Sequence, residues 1–195
     1  LDYLRLGLYF GRIVMYKESN IENDFFTKVN FRFDPKSLKA GVVLISEPFL
    51  NDPNFLRSVI LISHYSPQDG AVGFVINRMT NQRLDETNPF VSNKSHRIYE
   101  GGPVDKDLLF CLHTDHPAIP LPQNPIIPKL YFSSDIESII PAINSGQLDN
   151  RSVKFFSGYS GWAAGQLEQE LTENTWIIGN LTRLQILRVP SFRIW

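Results

Sequence analysis

The stretch that organises this chain is FFSGYSGWAAGQLEQEL, residues 155–171. Its two leading aromatic residues are typical of the end of a buried strand, and the glycine- and serine-rich segment after them predicts a turn. From residue 163 onward the apolar spacing predicts a short amphipathic helix, with Ala164, Leu167 and Leu171 packing inward. We therefore predict a strand–turn–helix joint whose role is architectural.

Length and composition indicate one globular domain. A chain of 195 residues is long enough to bury a substantial core. The formal net charge of −1 lacks the clustered basic excess of a phosphate-binding surface, which argues against direct contact with nucleic acid. Cys111 is the sole cysteine, so no intrachain disulfide can form, and no apolar run is long enough for a membrane span. We predict a cytoplasmic protein with no membrane contact.

Short apolar runs predict a buried sheet. Residues 42–46 and 58–64 each have the length and composition of a buried strand. The turn at 67–70 (PQDG) and the run at 71–77 complete a hairpin with the second of them. Residues 78–97 predict a loop with at most one helical turn. Further strands are predicted at 98–100, 108–113, 130–132, 153–156 and 176–178.

Two helices are predicted besides the one in the joint. A short helix is expected over residues 21–30. A longer one follows Ser134, which with Glu137 matches a capping box, and it stops at Gly146. Pro141 lies inside it and is expected to kink it. Its inward stripe consists of Ile136, Ile139, Ile140 and Ile143.

These elements predict an α/β (α+β) fold with a mixed, largely buried β-sheet and helices on both faces. The early hairpin is antiparallel, whereas the later strand–helix–strand passages allow parallel pairing. We divide the chain into an N-terminal extension (1–23), a globular domain (24–180) and a C-terminal tail (181–195).

Ser160 is the first candidate for chemistry. A serine on a strand–turn–helix joint invites comparison with the nucleophile elbow G-x-S-x-G, but Trp162 stands in the place of the second glycine. The alternative is a turn serine that caps the following helix. We favour the alternative and predict no catalytic residue.

Metal and thiol chemistry have weaker candidates. His113 and His116 are metal-ligand types, but Pro117 opposes the helix that would bring them together. Cys111 lies within an apolar run, where a cysteine is usually buried and inert. We predict no bound metal and no cofactor.

A polar cleft at the strand ends is the remaining candidate site. Charged residues lie at the predicted turns: Glu47, Asp52, Arg57 and Glu100. If the neighbouring strand ends converge, Glu47, Arg57 and Glu100 line a ligand-binding cleft, and the amides of Gly101 and Gly102 face an anion. The alternative is an ion-pair network that holds the loops together.

Basic residues cluster only in the tail, as Arg183, Arg188 and Arg193. They match no helix-turn-helix pattern, and no zinc-finger ligands accompany them.

Several motifs occur together in one order. They are 41–49 (GVVLISEPF), Phe55, 57–59 (RSV), 73–77 (GFVIN), 99–104 (YEGGPV), 158–162 (GYSGW), 166–168 (QLE) and 170–171 (EL). This arrangement resembles the YqgE/AlgH family, also called UPF0301 or DUF179. The resemblance makes residues 158–162 (Gly158, Tyr159, Ser160, Gly161 and Trp162) a structural signature. Residues 1–23 and the chain after Asn180 depart from the family pattern.

The resemblance implies a bacterial protein with a mixed α/β fold and without an established activity or ligand. Some members are described as transcriptional regulators through a link to alginate control. Related sequences resemble this motif with alanine at the position of Ser160, which argues against a nucleophile there. Our leading hypothesis is a non-enzymatic binding or regulatory protein with a protein or small-molecule partner. The runner-up is a hydrolase using Glu47, Glu100 and Ser160, and direct DNA binding is the third.

Overall fold

The computed structural model describes residues 5–9, 12–16, 35–117, 119, 124–188, 190 and 194–195. The helices are α1 (Leu84–Thr87), α2 (Ile140–Asn144), α3 (Gln166–Thr172) and α4 (Arg183–Arg188), and a 3-10 turn covers Pro35–Ser37. The strands are β1 (Arg5–Tyr9), β2 (Arg12–Tyr16), β3 (Val43–Ser46), β4 (Val59–Ser66), β5 (Gly70–Val75), β6 (Met79–Arg83), β7 (Arg97–Glu100), β8 (Val104–Thr114), β9 (Leu130–Ser133), β10 (Val153–Trp162) and β11 (Trp176–Gly179). The helix predicted over 21–30 lies outside the described residues.

The strands form a two-stranded antiparallel sheet, β1–β2, and a nine-stranded mixed sheet. The order in the large sheet is β11-β3-β4-β5-β10-β7-β6, with β8 paired to β10 and β9 paired to β8. β10 and β7 run parallel, and the other described pairs are antiparallel. The predicted α+β fold with a mixed sheet and the antiparallel β4–β5 hairpin are confirmed.

Three apolar clusters cover the faces of the large sheet. Because neighbouring residues of a strand point to opposite faces, β3, β4 and β5 contribute to two of these clusters. The inner cluster also takes in β8, β9, β10 and α4, so it is shared by both halves of the sheet. The outer clusters are covered by α3 on one half and by the α2 region on the other. Helices therefore lie on both faces, as predicted.

The turn predicted inside residues 155–171 is wrong. β10 continues without a break through Trp162 and links the two halves of the sheet. Its first half pairs with β8 and β7, whereas Ser160 to Trp162 pair with β5. The register shifts between Ser157 and Tyr159, where Gly158 has a φ of 68°. A glycine in this position indicates a bulge in a strand, and sequence alone does not distinguish it from a turn.

Gly101 and Gly102 bring the end of β7 directly against β10. The Gly101 N–H donates to the Ser157 carbonyl (2.9 Å), and the Gly101 carbonyl accepts from the Val75 N–H (2.8 Å). A Cβ on Gly102 would lie 2.2 Å from the Tyr159 carbonyl oxygen, closer than any side chain allows. β5, β7 and β10 therefore meet in what we call the glycine junction, formed by Gly101, Gly102 and Gly158.

Three further segments differ from prediction. Residues 78–97 contain β6 as well as the short helix α1, because an exposed polar strand lacks the apolar pattern used to recognise strands. The capping box does not form: α2 begins only at Ile140, and Pro141 occupies its first turn, where a missing N–H has no consequence. The tail contains α4, and two of its residues, Ile186 and Leu187, are buried.

The described helices are too short and too polar for any of them to cross a bilayer.

The glycine junction gives a matched pair of substitutions. Gly146 and Gly158 have similar positive φ angles (75° and 68°), but a Cβ at Gly146 meets no atom within 4 Å, whereas one at Gly158 lies 2.7 Å from the Val104 carbonyl oxygen. Gly146→Ala is expected to lower the free energy of unfolding by about 1–2 kcal/mol through its backbone angle alone. Gly158→Ala is expected to cost more than about 4 kcal/mol or to prevent folding. Urea denaturation measures both, and equal losses would contradict the steric argument.

Candidate functional site at the strand ends

The ends of β3, β4 and β5 are joined by buried polar side chains. The Ser46 N–H donates to the Ser58 carbonyl (3.0 Å), and the Ser58 N–H donates to the Ser46 hydroxyl oxygen (3.0 Å). The Asn77 side chain accepts from the Val59 N–H (2.9 Å) and donates to the Arg57 carbonyl (2.9 Å). These contacts fix the loop between β3 and β4 against the end of β5.

Arg78 extends this arrangement to β7. Its guanidinium donates to the Asn54 carbonyl (2.7 Å) and to the Ser58 hydroxyl (3.0 Å). It also lies 3.8 Å from the Glu100 carboxylate, which accepts from the Lys106 ammonium at 2.9 Å. We call the connected set the strand-end network: Ser46, Ser58, Asn77, Arg78, Glu100 and Lys106.

The predicted cleft residues occupy different positions around this network. Glu100 belongs to it, and the backbone of Gly101 is hydrogen-bonded to β10 and β5. Arg57 lies beside it, with a φ of 52° and its guanidinium 5.4 Å from the centre of the Trp195 ring. The Glu47 N–H donates to the Thr175 carbonyl before β11. Ligand binding by these residues stays a prediction.

Arg78 is the residue that sequence reasoning missed. It follows Asn77 directly at the end of the predicted hairpin, on the same side as the turn that carries Arg57. A hairpin brings the start of its first strand next to the end of its second. The sequence therefore contained the information that Arg78 lies close to the turn that carries Arg57.

Exposed apolar side chains lie next to the strand-end network. Leu56 is 49% exposed and its carbonyl accepts from Arg78, while Met79, which follows Arg78, is 55% exposed. Phe49, on the turn after β3, is 78% exposed. We call the network together with Leu56 and Met79 the strand-end surface.

Ser160 is neither a nucleophile elbow nor a helix cap. The residue is 0% exposed, and its hydroxyl donates to the Gly101 carbonyl at 3.2 Å. The helix that follows begins at Gln166, with Gly165 at its N-cap and no side-chain cap. The reason is that β10 continues past Ser160, which places the serine inside the sheet.

The end of β10 anchors α3 through two carboxylates. The indole N–H groups of Trp162 and Trp176 both donate to Glu170 (2.9 and 2.7 Å). The Tyr65 hydroxyl donates to Glu168 at 2.6 Å, and this hydrogen bond, with burial, raises the pKa of Tyr65 to about 12. The signature around Trp162 therefore holds a helix in place.

Cys111 and His113 lie in the core. Burial raises the pKa of the Cys111 thiol above its usual value, which opposes thiolate formation. His113 is 0% exposed, donates from Nδ1 to the Thr114 carbonyl (2.9 Å) and stacks on Tyr131. Burial lowers the pKa of His113, and likewise that of His96. In the part of the chain that the structure describes, no three His, Cys, Asp or Glu side chains are grouped to hold a metal ion.

The buried histidines predict acid sensitivity. Since the folded state lowers the pKa of His113, the stability that its neutral form contributes is complete above pH 6.5, the usual value, and is lost as the pH falls below it. His113→Asn keeps a donor for the Thr114 carbonyl but does not titrate. Between pH 7.5 and 5.5 this variant is expected to lose about 1 kcal/mol less unfolding free energy than the wild type. Urea denaturation tests this, with exposed His64→Asn as control; an unchanged pH dependence in His113→Asn would contradict it.

Arg78 is expected to contribute more to the free energy of unfolding than Glu100, its ion-pair partner. Arg78→Met leaves the Ser58 hydroxyl and the Asn54 carbonyl without their donor, at a cost of about 1–2 kcal/mol of unfolding free energy. Glu100→Gln removes only half-exposed ion pairs and is expected to cost less than about 1 kcal/mol. Hydrogen exchange should quicken in residues 52–58 of Arg78→Met alone. Equal losses in both variants would mean that charge pairing dominates.

Comparison with known proteins agrees with this architecture. A family model described as "DUF179: AlgH-like" matches residues 43–195, which include β3 to β11 and α4. A UPF0301 protein from Bacteroides thetaiotaomicron is 35% identical over 183 residues, covering 90% of this chain and 87% of that protein. Another, from Bacteroides fragilis, is 38% identical over 181 residues, with the same coverage.

Solved structures share the fold. The solution structure of the AlgH protein from Pseudomonas aeruginosa superposes with a TM-score of 0.64 at 30% identity, covering 82% of this chain and 85% of that one. A crystal structure of a Corynebacterium diphtheriae protein has a TM-score of 0.62 at 21% identity and covers 82% of both chains. The expected resemblance is confirmed: this chain belongs to the AlgH-like family, UPF0301.

Proposed function

We propose that this chain is a non-enzymatic binding protein that contacts a protein or small-molecule partner through its strand-end surface. The proposal rests on a difference in solvent exposure between the candidate nucleophiles of this chain and the strand-end surface. Ser160 and Cys111, the nucleophiles singled out from the sequence, are both buried. The exposed chemistry instead combines Lys106 and Glu100 with Leu56 and Met79, which suits recognition.

The rigidity of the strand-end network supports binding. Arg78 has acceptors on two sides and cannot turn outward without losing them. Side chains held in this way lose little conformational freedom when a partner binds, so more of the interaction energy appears as affinity. Glu47 and Arg57, on the flanking turns, extend the surface that a partner would meet.

The hydrolase alternative has less support. It needs Ser160 to reach a substrate, yet the hydroxyl is enclosed between β10 and Gly101. The Glu100 carboxylate already accepts from the Lys106 ammonium and lies 3.8 Å from Arg78, so a substrate would have to displace these contacts to reach it.

We further propose that any regulatory role is exerted in the cytoplasm through a bound partner and not by direct contact with nucleic acid. The net charge of −1 supports this. Of the basic residues in the tail, Arg183 lies 4.0 Å from Asp115, and its helix packs Ile186 and Leu187 into the inner core.

Methionine methyl NMR tests the binding surface, because the chain has only two methionines, Met15 and Met79. Thermal-shift screening against metabolites supplies ligands, since a bound ligand raises the melting temperature. A ligand of the proposed kind is expected to shift the Met79 signal and to remain chemically intact.

Two variants sharpen this test. Arg57→Ala is expected to weaken ligand binding by about tenfold, the effect of losing one good contact. Arg151→Ala, in the exposed turn before β10, serves as the matched control and should bind normally. Turnover of the ligand would support the enzyme alternative. A bound ligand that leaves the Met79 signal unshifted would show that binding occurs at a different site.

A further inference from the structure

Lys154 is a charged residue placed in the inner core. It lies on β10 between Val153 and Phe155, and its side chain points to the opposite face from theirs, toward the cluster shared by both halves of the sheet. The residue is 4% exposed. Its ammonium nitrogen donates to the Ile76 carbonyl (3.2 Å) and the Ile186 carbonyl (2.8 Å), and lies 4.3 Å from the centre of the Tyr99 ring.

None of the ion pairs between described residues involves Lys154. Its neighbours are Ile76 after β5, Tyr99 of β7, Leu112 of β8 and Ile186 of α4. The charged groups on or next to these elements are Arg78, Arg97, Glu100, Asp105, Lys106, Asp107, Asp115, Arg183 and Arg188. Burial lowers the pKa of Lys154 to about 8.

Of the elements around Lys154, α4 is the one that can leave at least cost. β5, β7 and β8 are held in the sheet by backbone ladders, whereas α4 is a helix of six residues. A helix this short is not stable without tertiary contacts. Its buried side chains are Ile186 and Leu187, and the Ile186 carbonyl is also the acceptor closest to the ammonium. Moving α4 away would give the ammonium access to water.

We propose that α4 is a proton-dependent clasp: it closes over Lys154 when the side chain gives up its proton and opens more often when Lys154 takes one up. Beyond α4, the ring of Trp195 lies against the guanidinium of Arg57, which is beside the strand-end network. The inference rests on the contacts of Lys154 and does not depend on the proposed binding function.

The direction follows from linkage. The closed state lowers the pKa of Lys154 from 10.5 to about 8, so the closed state binds the proton less well than the open state. Closure is therefore most favourable above pH 10.5 and weakens as the pH falls toward 8. From pH 9 to pH 7 the opening equilibrium constant is expected to rise by about tenfold, and to change little at lower pH.

Hydrogen exchange of the full chain tests the clasp. The Ile186 N–H, which donates to the Thr182 carbonyl, reports on α4, and the Phe156 N–H reports on β10. After correction for intrinsic rates, the protection of Ile186 is expected to be well below that of Phe156 and about tenfold lower at pH 7 than at pH 9. Equal protection of the two amides, or no pH dependence at Ile186, would overturn the proposal.

Two variants and a direct titration complete the test. Lys154→Met should abolish the pH dependence at Ile186, and Lys39→Met, at an exposed lysine, should retain it. Should Lys154→Met fail to fold, NMR titration of the Lys154 side chain in the wild type still decides. A midpoint near 8 is expected, whereas a midpoint near 10.5, the value of an exposed lysine, would refute the clasp.

Discussion

The fold depends on the close approach of two backbones at the glycine junction. Without side chains at Gly101 and Gly102, the end of β7 can lie against β10 and still hydrogen-bond to β5. The bulge at Gly158 then lets one strand serve both halves of the sheet. These contacts join the two halves of the sheet. The inner core, the strand-end network and the packing site of α4 depend on them, because each uses residues from both halves.

The predictable parts of the fold are those where burial produces a repeating apolar pattern. β3, β4, β5, β9 and β11 lie where apolar runs predict strands, and the β4–β5 hairpin follows from its turn residues. β10 was misread because glycine and serine favour turns and bulges alike, and only pairing partners distinguish the two. β6 was missed because its side chains are exposed or half-buried, so no pattern marks it.

Only part of the candidate site was predictable from the sequence. Charged residues at predicted turns identified Glu100 and Arg57, but which of these turns lie close together depends on the order of the strands in the sheet. Arg78 connects Glu100 to the loop before β4, and this role depends on β5 lying beside the end of β7. Lys154 was unremarkable in the sequence, since nothing local indicates that a lysine between apolar neighbours will face the core.

The position of β10 along the chain also bears on how this protein emerges from the ribosome. Residues 35–117 contain most of the strands of both halves, yet the strand that unites them is synthesised only at 153–162. Until then the apolar faces of β3, β4 and β5 lack their partners. Pairings so distant in sequence form slowly, and exposed strand edges are prone to aggregate in the meantime. The apolar faces of these early strands are therefore most exposed to aggregation before β10 has been synthesised.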